Sequence, residues 1–329
     1  MTGSAATNAS PSTVGLVGIG AIGGGIGLSL RRAGLPLTIT SRRAEPAREL
    51  VAAGAEWKKD ARQVGRAVGS GIAFVAVPDA RTLNRVLFGR SGLAKGLVSG
   101  ALVVQTGTIA PDQTRTVAAR LGELGISMLD APVGGSREPA RLGQLLLYVG
   151  GSAADLERAR PVLSAVSREI VHVGDVGLGS AMKLANNLVT LGTVELLSES
   201  LALAVAAGID RDRALEIFGK GGARSTMLES KRPMLSVRQY ETNFRLDLAR
   251  KDLKLIERAA SQFGRPLPVA HQIRRMFDRA VSEGRGAQDF AAVFETVLGS
   301  PAVPPATTAA STEHAPAPPG PTDPGQPSS

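Results

Sequence analysis

The chain has no cysteine, which excludes disulfides, thiolate nucleophiles and thiolate metal sites. Its three histidines, His172, His271 and His314, stand far apart, none in metal-ligand spacing with another, so no metal is expected. Aromatic residues make up only 3%, and the many arginines are dispersed without a basic cluster. The net charge of +9 therefore reads as a positive surface that attracts small anions, not as a nucleic-acid footprint. Residues 1–12, MTGSAATNASPS, lack the basic start and apolar core of a signal peptide. The longest apolar run carries Lys183, Glu195 and Glu199, which argues against a membrane span. The expectation is a cytoplasmic protein with neither nucleic acid nor membrane as partner.

What is present is enough for a large core: 329 residues, 43% of them hydrophobic. Residues 1–12 read as a disordered tail. Residues 300–329 read as a second one, because prolines and small residues cannot bury enough surface to offset ordering entropy. From Thr13 to about Val176, seven β-rich runs alternate with helical stretches: TVGLVGI, PLTIT, GIAFVAV, GALVVQT, GISMLDA, QLLLYVGG and REIVHVG. Such alternation predicts βαβ units and a mainly parallel sheet. Beyond GDVGLGS only helical periodicity is evident. The expected fold is α/β: a Rossmann-type parallel-sheet domain over 13–177, then an all-α domain over 178–299, joined by a long interdomain helix.

Two stretches carry chemistry. The first strand runs into GIGAIG, residues 18–23, where Gly18, Gly20 and Gly23 have GxGxxG spacing, with Ala21 and Ile22 opening the following helix. Glycines there permit the tight turn and let backbone and helix N-terminus approach a pyrophosphate. Gly24, Gly25 and Gly27 follow inside the helix and have no rationale at this level. At the end of the second strand an NAD site carries a carboxylate, yet this chain reads TITSRRAEP. Ser41, Arg42 and Arg43 suit a 2′-phosphate, so NADP(H) is preferred, with NAD(H) as the alternative.

The second stretch is GLGSAMKLANN, residues 177–187, at the junction of the two domains. On a helix Lys183 shares a face with Asn186, Asn187 and Thr190. Clefts between domains favour ligand sites. A partly buried lysine with a lowered pKa could give a proton to a nascent alkoxide, or take one in reverse. Asn187, one turn on, could orient the substrate.

Four motifs in order, GLVGIGAIGGGIG, DAPVGGSREPARLGQL, GLGSAMKLANN and FRLDLARKDL, resemble those of the β-hydroxyacid dehydrogenase family over roughly residues 14–298. The resemblance implies that Lys183 is the proton donor or acceptor and that Asn187 contacts substrate. It implies that the loop Gly134, Gly135 and Ser136 holds a substrate carboxylate. The family's usual serine after valine is Gly134 here, with Arg137 as a compensating anion contact. PVGGSREPA is closest to the pattern of the glyoxylate/succinic semialdehyde reductase branch, whose NADP preference agrees with Arg42 and Arg43. Lys251 and Phe244 are implied to lie near the cofactor, as are Thr108, Val77 and Pro78; the family's serine before the threonine is Gly107.

The expected activity is an NAD(P)-dependent interconversion of a small β-hydroxy acid (or 2- or 4-hydroxy acid) and its semialdehyde or keto acid, run as an NADPH-dependent reductase. Imine reduction and cofactor binding without catalysis are the alternatives; members with either property usually lack the lysine, so Lys183 counts against both. An exposed apolar long helix points to a homodimer or homotetramer.

Overall fold

Nine strands form one sheet in the computed structural model, which describes residues 13–299. The two expected tails, 1–12 and 300–329, lie outside the described residues. The strands are β1 (Val14–Val17), β2 (Leu37–Thr40), β3 (Glu56–Trp57), β4 (Ile72–Val75), β5 (Leu102–Gln105), β6 (Ser127–Asp130), β7 (Val133–Gly134), β8 (Leu145–Gly150) and β9 (Ser167–Gly174). Spatially they run β3-β2-β1-β4-β5-β6-β8-β7, with β9 on β8. The pairs from β3 to β6 are all parallel, and β8 is antiparallel to β6 and β7. The expected α/β architecture with a mainly parallel sheet is what forms. The two-residue strands β3 and β7 are additions to the seven expected runs. They are too short for a hydrophobic pattern and exist only through pairing with their neighbours.

The helices are α1 (Ala21–Arg32), α2 (Arg48–Ala52), α3 (Ala61–Val68), α4 (Ala80–Phe88), α5 (Pro111–Gly122), α6 (Arg137–Leu142) and α7 (Ala153–Ser164), then α8 (Leu178–Ala206), α9 (Arg211–Lys220), α10 (Thr226–Val237), α11 (Leu246–Gln262), α12 (Pro268–Ser282) and α13 (Val293–Val297). Several start on side-chain caps that satisfy a free N–H: Asp60 on α3, Asp79 on α4, Ser152 on α7, Asp210 on α9 and Ser225 on α10.

Because both faces of the sheet are covered, its central strands are buried throughout. One face packs Leu16, Ile39, Phe74 and Val104 against α1 and α7; the other packs Val17, Val75 and Val103 against α3, α4 and α5. After Gly174 no further strand occurs among the described residues, apart from an isolated Arg245–Asp289 bridge. Helix α8 is 29 residues long, and Leu184, Leu191 and Val194 on it form a core with α11 and α12. It is long and apolar enough to cross a membrane by length and composition, but this packing makes it a core helix.

The glycines of α1 now have reasons. A Cβ on Gly25 would lie 2.6 Å from Ala140 Cβ, and one on Gly27 would lie 2.8 Å from the Leu50 side chain. Gly25 therefore lets α6 dock on α1, and Ser29 Oγ donates to Ala140 O at 2.9 Å to hold it there. A Cβ on Gly24 would meet Ile19 Cγ2 at an ordinary 3.7 Å, so nothing in the structure explains this glycine.

Candidate active site

The cradle begins where β1 ends. Gly18 has φ +98°, which only glycine adopts freely, and a Cβ there would stand 2.3 Å from Ala76 O. A Cβ on Gly23 would stand 2.0 Å from Gly18 O, so this position too admits no side chain. Gly20 differs: it is exposed, and a Cβ would meet nothing within 4 Å. Turn, open approach and close packing thus fall on the three glycines as a pyrophosphate at the α1 N-terminus requires. Ala21 is exposed beside them and Ile22 half-buried. Ser41, Arg42 and Arg43 follow β2, on the far side of β1 from β4, with both arginines exposed and the Ser41 hydroxyl donating to Arg43 O.

On the other side of β1, the ends of β4 and β5 come together. Val77 is buried and Pro78 exposed, and a Cβ on Gly107 would stand 2.1 Å from Val77 O. That approach explains why glycine stands where a serine was expected. Gln105 Nε2 donates to Gly107 O at 2.9 Å and stiffens the turn before Thr108.

The substrate-loop residues extend β7. Gly134 pairs with Leu146 across the ladder, Gly135 has φ +127°, and Ser136 precedes α6 with its hydroxyl making no cap bond. Arg137 is exposed. Because α6 is docked on α1 through Gly25 and Ser29, the loop is anchored to the helix that follows the cradle.

Helix α8 is seated by a carboxylate from the sheet. Asp130, at the end of β6, accepts from Gly177 N–H at 3.0 Å and Ser180 N–H at 2.7 Å. Burial raises its pKa, opposed by these bonds. A Cβ on Gly179 would stand 2.5 Å from both Asp130 O and Tyr148 O, so the first turn lies directly against β6 and β8.

Lys183 follows one turn later. It is half-buried, and no hydrogen-bond partner for its Nζ exists among the described residues. Desolvation lowers its pKa below the ordinary 10.5, opposed by attraction to Asp252 and assisted by repulsion from Lys251. Asn187 is buried and donates to Asp252 Oδ2 at 2.8 Å. Lys251 lies 2.9 Å from Asp252 Oδ1 and donates to Pro78 O and Thr108 O, each at 2.8 Å. One linked cluster therefore joins α8, α11 and the ends of β4 and β5.

Phe244 is half-buried, just before α11. Its N–H and that of Asn243 donate to buried Asp289 Oδ2 at 3.1 and 3.2 Å. Asp289 is ion-paired to buried Lys231 at 2.8 Å, and Phe290 meets the Phe244 ring edge-on.

The structure brings Lys183, Asn187, Lys251, Pro78 and Thr108 together through Asp252. Arg42 and Arg43 belong to the opposite end of the cradle, as an elongated dinucleotide needs. Sequence reading missed Asp130, Asp289 and Tyr148 as neighbours of these residues, and gave Asp252, which lies inside the motif FRLDLARKDL, no role. Their signal is weak, since the partners described above stand 31 to 65 positions away in the chain. The acid closing β6 and the acid beside Lys251 were the visible hints. No group of acids or histidines that could hold a metal occurs among the described residues.

Comparison with known proteins places this geometry. Residues 13–174 match the family described as the NAD binding domain of 6-phosphogluconate dehydrogenase. Residues 177–297 match the NAD-binding domain of NADP-dependent 3-hydroxyisobutyrate dehydrogenase. A 2-hydroxy-3-oxopropionate reductase of Escherichia coli K12 is 33% identical over 86% of this chain and 96% of its own. A 2-(hydroxymethyl)glutarate dehydrogenase of Eubacterium barkeri is 31% identical over 86% and 93%. The crystal structure of a 3-hydroxyisobutyrate dehydrogenase from Salmonella typhimurium superposes with a TM-score of 0.79, at 31% identity, over 86% of this chain and 99% of that one. The two family matches together span nearly all of the described residues, and the chain belongs to the 3-hydroxyisobutyrate dehydrogenase-like β-hydroxyacid dehydrogenases, NAD(P)-dependent oxidoreductases acting on the CH–OH group of hydroxy acids.

Proposed function

We propose that the protein is an NADPH-dependent reductase of a small semialdehyde or keto acid, with Lys183 as its proton donor. The observation that carries this is Lys183 itself: a desolvated ammonium on α8 with no hydrogen-bond partner among the described residues, in the field of Asp252, whose neighbour Lys251 is bound to the ends of β4 and β5. The bound dinucleotide would supply the hydride. In reduction Lys183 Nζ gives its proton to the developing alkoxide, and in oxidation it takes the hydroxyl proton. Asn187, its amide fixed by Asp252, presents its remaining polar atoms to the substrate. Gly134, Gly135, Ser136 and Arg137 hold the carboxylate, and Phe244 packs beside the nicotinamide with Thr108, Val77 and Pro78 lining the path to it. Gly18, Gly20, Ala21, Ile22 and Gly23 cradle the pyrophosphate.

Ser41, Arg42 and Arg43 receive the 2′-phosphate, since no acid stands among them and both guanidiniums are free of ion pairs among the described residues. The domain division falls at 177/178, where β9 has ended and α8 begins. The protein works in the cytoplasm as a homodimer or homotetramer, joined at the exposed row Val189, Leu196 and Leu203 on α8; sedimentation equilibrium measures this.

The deciding experiment is NADPH oxidation with glyoxylate, succinic semialdehyde, tartronate semialdehyde and methylmalonate semialdehyde. Turnover of at least one is expected, and inactivity on all overturns the proposal. Lys183→Ala should cost ~10²–10⁴-fold in kcat while NADPH binding stays within a few-fold; lost binding would instead mark a structural role. Arg42→Ala with Arg43→Ala should weaken NADPH by ~10- to 100-fold and leave NADH unchanged. Equal effects on both dinucleotides would refute the 2′-phosphate assignment.

A further inference from the structure

Gly134 has a neighbour on the adjacent strand that the proposed reaction has not used. Tyr148, on β8, lies on the same face of the ladder as Leu146, which pairs with Gly134. A Cβ built on Gly134 would stand 3.3 Å from the Tyr148 hydroxyl oxygen and 3.3 Å from Leu146 Cβ. The absence of a side chain at 134 is therefore matched by a hydroxyl arriving from β8.

Tyr148 is 7% exposed, and its hydroxyl has no hydrogen-bond partner among the described residues. A phenol in a mostly buried residue usually finds one, and this hydroxyl oxygen is not among the fully buried polar atoms, so it stays reachable by a ligand from solvent. Burial, and then the negative charge of Glu169 on β9, keep the hydroxyl protonated. It is therefore a donor in want of an acceptor, and an anion suits it better than a second hydroxyl does. The Tyr148 carbonyl lies under the first turn of α8, one turn before Lys183. The residue thus sits between the loop after β7 and the helix that carries the proposed proton donor.

We infer that the Tyr148 hydroxyl is a substrate-binding group of this enzyme, donating a hydrogen bond to the carboxylate held by the loop Gly134–Arg137. This rests on the proposed reading of that loop. Gly134 and Tyr148 work as a pair: glycine leaves the room, and tyrosine fills it with a donor more rigid than a serine hydroxyl. The pair favours substrates whose carboxylate reaches toward β8. A larger residue at 134 excludes them by crowding the phenol.

The test compares the fastest-turned-over acid of the panel above with its methyl ester, using the full-length enzyme and NADPH. Wild type should prefer the acid by kcat/KM. Tyr148→Phe should raise KM for the acid ~10- to 100-fold, leave kcat within about threefold, and leave kcat/KM for the ester within about threefold. NADPH affinity and melting temperature should hold. Adding Gly134→Ser to Tyr148→Phe, where the crowding oxygen is gone, should restore at least ~10-fold of the loss by returning a hydroxyl from the loop side. An unchanged KM for the acid overturns the inference, as does an equal loss on acid and ester, which would reduce Tyr148 to packing. A wild type that does not prefer the acid over the ester defeats the carboxylate-loop reading itself, an outcome distinct from failure of Tyr148 alone.

Discussion

At the scale of single residues, the proton-donor role proposed for Lys183 predicts the pH response. Desolvation disfavours its ammonium more than Asp252 favours it, so its pKa falls below the ordinary 10.5. Oxidation needs the neutral amine, so kcat/KM in that direction rises with pH and levels off below the ordinary lysine range. Reduction needs the ammonium, and its rate falls through the same inflection. The pair of mirrored profiles, measured from pH 6 to 10, should share one midpoint. Lys183→Arg stays protonated throughout and should abolish the inflection while losing at least ~10²-fold in activity. An arginine variant that keeps the wild-type profile would remove Lys183 from proton transfer. The lysine was legible in sequence because a charge in an apolar helix needs a reason. Its environment was not, because Asp252 stands 69 positions away and only the packing of α11 on α8 brings it in.

At the scale of elements, α8 carries a second buried charge with a different consequence. Glu195 is 4% exposed, and neither carboxylate oxygen has a hydrogen-bond partner among the described residues. Burial, and then Glu199 one turn on, push its pKa from 4.5 up to about 8. The folded chain therefore holds this proton where the unfolded chain has released it. The contribution to stability is complete below pH 4.5 and is lost as pH rises through about 8. Glu195→Gln keeps the neutral form at every pH. Its melting temperature should fall less than that of wild type between pH 6 and 9, by at least ~5 °C; parallel curves would show that Glu195 finds a partner. Elements also mark where sequence reading stops. Strands β1, β2, β4 and β5 were legible because both of their faces are buried and they read as apolar runs. β3 and β7 were not, because two residues hold no period, and β7 is the strand that brings Gly134 to Tyr148. Gly25 looked like a helix defect until α6 was seen against it.

At the scale of the whole molecule, two side chains of α11 bridge the helical part to the sheet part, and their surroundings make them unequal. Arg258 meets Asp112 at 2.6 Å, but the two side chains are 54% and 31% exposed. Water and salt screen such a pair, and holding two long side chains still offsets much of its attraction. Lys251 instead donates to two backbone carbonyls, Pro78 O and Thr108 O, with Asp252, 4% exposed, compensating its charge. Those carbonyls follow β4 and β5, and the same Asp252 fixes Asn187 on α8. On the proposed function, losing Lys251 therefore loosens the substrate side and the dinucleotide side of the cleft together. Lys251→Met should lower kcat/KM by ~10- to 100-fold. It should also speed amide exchange over residues 106–110 in the enzyme without dinucleotide, where a role confined to cofactor contact would change nothing. Arg258→Ala should alter kcat/KM by no more than about twofold. If the two variants behave alike, in activity and in exchange, then the closure of the cleft is set by packing between α8 and α11 and not by the lysine that spans it.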